Sequence, residues 1–159
     1  MEPILFGNSF NEFEVLSIHS GLYTDILERQ KNIMQHALQR HNKVMQVRFD
    51  LHYPADASIS PSPDDISTFS YNFSRRLKRM RICSHRVDPH YIWVRELKES
   101  EYPHYHFMVW INASAIQNRY TILTLLLMFG VTFYRQIRKV SFSFVSMGKE
   151  IQDTIMASS

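Results

Sequence analysis

The stretch "HYIWVRELKESEYPHYHFMVWIN", residues 90–112, reads as two strands and the link between them. "HYIWVREL" (90–97) and "HYHFMVWIN" (104–112) are rich in aromatic and β-branched residues, and the polar "KESEYP" (98–103) suits an antiparallel pair. Side chains alternate along a strand. Tyr105, Phe107, Val109 and Ile111 therefore turn to the core, while His104 and His106 share the other face. Same-face neighbours are roughly 7 Å apart at the backbone, close enough for two imidazoles to converge on one ion. Glu96 ends the first strand, and antiparallel pairing brings it alongside His104. Glu99 is the rival carboxylate and reads more simply as a solvated loop acid. Two imidazoles and a carboxylate leave open positions on a hard or borderline divalent ion. On spacing alone, two readings stand: a metal centre, or two polar residues on an open sheet face.

Upstream, "VMQVRFDLHYP" (44–54) alternates as well. Met45, Val47, Phe49 and Leu51 take one face; Arg48, Asp50 and His52 take the other, and Pro54 ends the strand. "ADASISPSP" (55–63) is a loop. Ser62 then has the chemistry of an N-cap, with Pro63 at the first helical position and Asp64 and Asp65 at the positive helix end. This helix carries Ile66, Phe69, Phe73, Leu77 and Met80 on one stripe, with Arg75, Lys78 and Arg79 opposite. An earlier helix, patterned by Leu22, Ile26, Leu27, Ile33, Met34, Ala37 and Leu38, ends near Asn42. Residues 1–20 have no clear period and read as an N-terminal arm.

After Asn112 the pattern predicts a helix over 113–129, stopped by Gly130, and a last strand "VSFSFVS" at 140–146. The expected fold is α+β: a ferredoxin-like β-α-β-β-α-β antiparallel sheet with helices on one face, preceded by an N-terminal helix. In that order the first strand is central and lies beside the third. Asp50 and His52 can then reach the face of the histidines, as site support or as ordinary strand residues. One domain spans 21–146, and 147–159 is a tail.

Composition agrees with a single folded domain: 159 residues, 45% hydrophobic, few Gly and Pro. Cys83 is the only cysteine, which excludes an internal disulfide and suits a reducing compartment. The N-terminus lacks the basic and apolar regions of a signal peptide, and the apolar run "ILTLLLMFGV" is too short to span a bilayer. A cytoplasmic protein without a membrane is expected. The net charge is only +3, yet Arg75, Arg76, Lys78, Arg79, Arg81 and Arg86 cluster, and no acid occurs between Glu101 and Glu150. Such a patch points to a polyanionic partner.

Three stretches, "VMQVRFDLHYP", "FSRRLKRMR" and "YIWVRELKESEYPHYHFMVWIN", resemble the YagK/YfjJ family, which includes inovirus-type replication proteins of bacteria and prophages. The resemblance covers roughly residues 36–112. That family in turn resembles the HUH endonucleases that initiate rolling-circle replication, whose His-hydrophobic-His motif "HYHFMV" fits. The resemblance implies a nick in single-stranded origin DNA. His104, His106 and Glu96 would hold Mg²⁺ or Mn²⁺, and a tyrosine would join the 5′ end. Arg75, Lys78 and Arg79 would grip the DNA backbone.

The family's Tyr-Leu-Ala-Lys-like stretch is absent from this chain. Tyr134 in "FYRQIRKV", with Arg138 and Lys139 nearby, is the expected nucleophile, ahead of Tyr120. The tail after Asn112 is unlike the family, which raises the expectation of a frameshifted or truncated copy. The alternatives are a non-catalytic DNA-binding prophage protein on the same fold and a structural protein that dimerises through its sheet.

Overall fold

The computed structural model describes residues 4–15, 21–53, 61–96, 103–118, 120–122 and 124–125. β1 (Ile4–Leu5), β2 (Ser9–Phe10), β3 (Phe13–Glu14) and β4 (Leu22–Tyr23) form two short antiparallel pairs, β1 with β4 and β2 with β3. The arm is therefore more regular than its sequence suggests. Asn11 and Glu12 join β2 to β3 at φ 47° and 69°, the left-handed pair that a two-residue hairpin turn requires. Gly21 has φ 75°, and a side chain there would run into Ile4 and Phe6, so only glycine fits.

α1 (Thr24–Arg40), β5 (Val44–His52) and α2 (Pro63–Arg79) follow, then the hairpin of β6 (Arg81–Ile82) and β7 (His85–Arg86), and finally β8 (His90–Glu96) and β9 (His104–Asn112). β5, β9 and β8 make a three-stranded antiparallel sheet with β9 in the middle. The protein is α+β. Among the described residues β5 pairs with β9 alone, so it is not central there. The strand expected at 140–146 lies outside the described residues.

The core forms between α2 and one sheet face. Val47, Phe49, Tyr105, Phe107, Val109 and Ile111 supply the sheet side; Ile66, Phe69, Phe73 and Leu77 supply the helix side, and all are buried. Four rings interlock there. Phe49 stacks on Phe107 at 5.0 Å, and Phe69 meets Phe107 edge-on at 5.4 Å and stacks on Phe73 at 5.6 Å. Arg75, Lys78 and Arg79 stay exposed on the outer side of α2, as the stripe requires.

The start of α2 is fixed by polar contacts. Ser62 accepts from the Asp64 N–H at 3.2 Å, while Asp65 accepts from the Ser62 N–H at 3.0 Å and from the Tyr53 hydroxyl at 2.9 Å. Burial first, then Asp65, pushes the Tyr53 phenol far above its usual range, so it stays a neutral donor. Ser62→Ala is expected to cost about 1 kcal/mol of stability, read as a lower urea midpoint at an unchanged slope. A midpoint equal to that of the wild type would mean the cap contributes nothing.

The second sheet face is not uniformly open. Gln46 and Trp110 lie on it opposite one another, both are buried, and the Trp110 indole donates to Gln46 at 2.9 Å. α1 crosses this end, where His36 sits edge-on against His90 at 5.0 Å. The two long helices thus lie on opposite faces. Asp88 ties the end of α1 to the start of β8: its Oδ2 lies 2.8 Å from Arg40 Nε and 2.8 Å from His41 Nε2. Burial opposes ionisation of Asp88, but those two hydrogen bonds outweigh it and bring its pKa down to about 2.

The helix expected over 113–129 begins later. Residues 113–115 form a turn in which the Asn112 side chain accepts from the Ser114 N–H at 2.9 Å, and helical backbone appears from Tyr120. Among the described residues no helix is long and apolar enough to cross a membrane.

Candidate metal centre

β9 carries the centre because it has a neighbour on each side. On one edge Asp50 lies opposite His106 and His52 opposite His104; on the other Val94 lies opposite His106 and Glu96 opposite His104. Cross-strand partners share a face, so His104, His106, Asp50 and Glu96 all belong to the face that Phe107 does not. α1 covers the far end of this face and leaves the His106 end partly exposed.

The side chains then converge on His106. Its Nδ1 lies 2.8 Å from Asp50 Oδ1 and its Nε2 lies 2.8 Å from Glu96 Oε2. Glu96 therefore reaches diagonally past its register partner His104. Arg48 Nε stands 3.6 Å from the same Asp50 oxygen. His106 and Glu96 are about a third exposed and Asp50 is half as exposed, so the cluster is reachable from solvent yet only partly hydrated. Burial alone would pull the imidazole pKa down. The hydrogen bonds to Glu96 and Asp50 outweigh it, and the net pKa is raised. Both ring nitrogens therefore stand at hydrogen-bond distance from a carboxylate, an arrangement that favours the protonated ring.

The same donors suit a divalent ion. A carboxylate on Nδ1 fixes the tautomer and leaves the Nε2 lone pair directed at Glu96, the outer-sphere support that metal-bound histidines use. Such nitrogen and oxygen donors suit a hard or borderline cation; His104 shares the face by register, but among the described residues His104, His106 and Glu96 do not bring three ligand atoms together.

The expected site residues do not all gather here. Asp50 and Glu96 both touch His106, whereas His52 is placed only by its backbone, opposite His104. Glu99 and Tyr134 lie outside the described residues. Tyr120 is exposed on helical backbone. Arg75, Lys78 and Arg79 are behind the sheet, because the Phe side of α2 packs on the face opposite His106. Sequence reading passed over a further polar cluster, His41, Asp88 and His90, whose members are far apart in the chain and form no motif.

No curated protein and no solved structure matches the chain significantly. The profile of the YagK/YfjJ C-terminal domain matches residues 7–125, which takes in every described strand from β2 on, both long helices and all members of the His106 cluster. It extends past both ends of the stretch from 36 to 112 that carries the resemblance in sequence, and it stops before Tyr134. With most of its length matched, the chain belongs to the YagK/YfjJ C-terminal domain family.

Proposed function

We propose that the chain is a metal-dependent protein that nicks and joins single-stranded DNA, of the rolling-circle initiator type, at a phage or prophage origin in the cytoplasm. One observation carries this reading: the His106 ring is held between Asp50 and Glu96 at 2.8 Å on each side, on the accessible end of the sheet. His104, His106 and Glu96 would hold Mg²⁺ or Mn²⁺. Such an ion, when bound, polarises a phosphodiester and offsets its charge. Asp50 keeps the Nδ1 proton and so keeps Nε2 available. Tyr134 would be the nucleophile, attacking phosphorus and retaining the 5′ phosphate while the 3′ oxygen leaves. The fold would be completed in the ferredoxin-like order: β5, α2, β8 and β9 supply its first strand, first helix and middle two strands, and the chain after Tyr120 would supply the rest.

The test is a denaturing gel of the protein with labelled single-stranded DNA from its own genomic neighbourhood and Mn²⁺. A covalent adduct that is lost with EDTA and in His104→Ala is expected, and Tyr134→Phe then identifies the nucleophile. The absence of any adduct from intact, folded protein would remove the nicking activity.

A second reading, a non-catalytic DNA-binding protein, is favoured by the position of Arg75, Lys78 and Arg79 behind the sheet. A strand seated at His106 would reach them only by passing round an edge. Replacing all three by glutamine is expected to lower the slope of log affinity against log salt by about 2, at about 0.7 per phosphate contact on single-stranded DNA. Nicking at saturating DNA should be unchanged. An unaltered salt slope would exclude phosphate contact by α2.

A further inference from the structure

We propose that His41, Asp88 and His90 form a second metal site, for an ion of the zinc class, which clamps the end of α1 to the start of β8. Their three ligand atoms all lie within 4.8 Å of one another. His41 Nε2 is 2.8 Å and His90 Nε2 is 3.6 Å from Asp88 Oδ2. A tetrahedral ion bonded at about 2.0–2.1 Å sets its ligands about 3.3 Å apart, between these two separations. Two imidazole nitrogens and one carboxylate oxygen favour Zn²⁺, Co²⁺, Ni²⁺ or Cu²⁺ over Mg²⁺ or Ca²⁺.

The observation that separates this cluster from an ordinary ion pair is His90. Its Nε2 has no solvent-accessible surface and no hydrogen-bond partner, although Asp88 is the next acceptor at 3.6 Å. Buried polar nitrogens are rarely left so, and an unassigned ion is one of the standard reasons. The backbone around it is held firmly. Asp88 takes the left-handed φ of 44°. The preceding Val87 donates to the Met80 carbonyl at 3.2 Å and accepts from the Asn112 N–H at 3.0 Å, and the Asn112 side chain holds the Arg86 carbonyl at 3.0 Å. His41 is fixed as the residue that ends α1. Ligands borne on such anchored backbone need little rearrangement to bind.

Arg40 is the competitor. Its Nε occupies the same Asp88 oxygen at 2.8 Å, but its side chain is 52% exposed and free to swing into solvent. The site is independent of the His106 centre, because His90 and Glu96 are the two ends of β8, roughly 20 Å apart at strand rise. It does not depend on the nicking activity.

The experiment uses the full chain carrying His104→Ala and His106→Ala, so that the first centre cannot contribute. Zn²⁺ uptake is measured by equilibrium dialysis with elemental analysis, and Co²⁺ is added to follow the visible absorption of a tetrahedral site. One equivalent of Zn²⁺ and an intense Co²⁺ spectrum are expected. His90→Ala should lose both while keeping its far-ultraviolet circular dichroism. Arg40→Ala should bind Zn²⁺ at least about tenfold more tightly, since it removes a competing cation, and misfolding cannot mimic that gain. Absence of the equivalent, its retention in His90→Ala, or weaker binding in Arg40→Ala would each overturn the site and leave a metal-free ion pair.

Discussion

His106→Ala is expected to lower Mn²⁺-dependent nicking of single-stranded DNA by at least about 100-fold, the loss that follows removal of a principal ligand. DNA affinity through α2 should be unchanged. The size follows from the geometry, because His106 is the residue that both carboxylates address, each at 2.8 Å. Removing it would take away one of the proposed ligands and leave Asp50 and Glu96 without the ring between them. Asp50→Asn should fall between wild type and His106→Ala, with a loss of about 10-fold to 100-fold, because Asp50 acts only through the ring it orients. Single-turnover rates at saturating DNA and Mn²⁺ are the measurement. A His106→Ala protein nicking within threefold of wild type would exclude the centre.

The metal-free protein offers a second readout of the same contacts. The His106 pKa is raised in the folded state, so its stabilising contribution is complete below the ordinary histidine range. It is lost as pH climbs through the raised value. Melting temperatures in EDTA should therefore decline across neutral and mildly alkaline pH in the wild type more than in His106→Ala. Parallel curves for the two proteins would show that the ring carries no extra proton.

Much of this centre was legible in the sequence, and the reason is period. Alternation in "HYHFMVWIN" placed His104 and His106 on one face, and the short link before it brought Glu96 back opposite His104, as the register has it. The α2 cap and stripe were equally direct, because Ser62, Pro63 and Asp65 each have one favourable use at a helix start. Diagonal contacts escape a pairing argument: Glu96 bonds to His106, two positions from its register partner, which depends on side-chain reach. The covered half of the second face was also hidden. Trp110 alternates with the histidines, yet only the position of α1, a tertiary fact, decides that it is buried while His106 stays partly exposed. The cluster of His41, Asp88 and His90 joins a helix end to a strand start 47 residues away, with no spacing to announce it. Beyond Asn112, helix propensity was overridden locally by the Asn112 side chain, which closes a turn where a first helical turn was expected.

Phe107→Ala is expected to cost about 3–5 kcal/mol, the range for deleting a buried phenyl group from a core that cannot close over the gap. Phe107 is 1% exposed, on the middle strand of the sheet. Its ring stacks on Phe49 at 5.0 Å with planes 8° apart, meets Phe69 edge-on, and has Trp93 at 6.3 Å. Those neighbours come from β5, α2 and β8, so collapse into the cavity would have to move three elements at once. For a domain whose total stability is about 5–15 kcal/mol, such a loss brings unfolding close to ambient conditions. Phe107→Leu should recover most of it, whereas Tyr71→Ala, at an exposed position on α2, should stay within about 0.5 kcal/mol of wild type. Urea midpoints at constant slope decide the matter, and a cost below about 1 kcal/mol for Phe107→Ala would be incompatible with the interlocked rings. The consequence should reach the other face, since His106 is the adjacent residue of the same strand and its orientation depends on β9 holding register with both neighbours. Phe107→Ala should therefore also weaken nicking at temperatures where it remains folded, and Phe107→Leu should restore it. A residue that touches neither metal nor DNA would then be seen to position one that does.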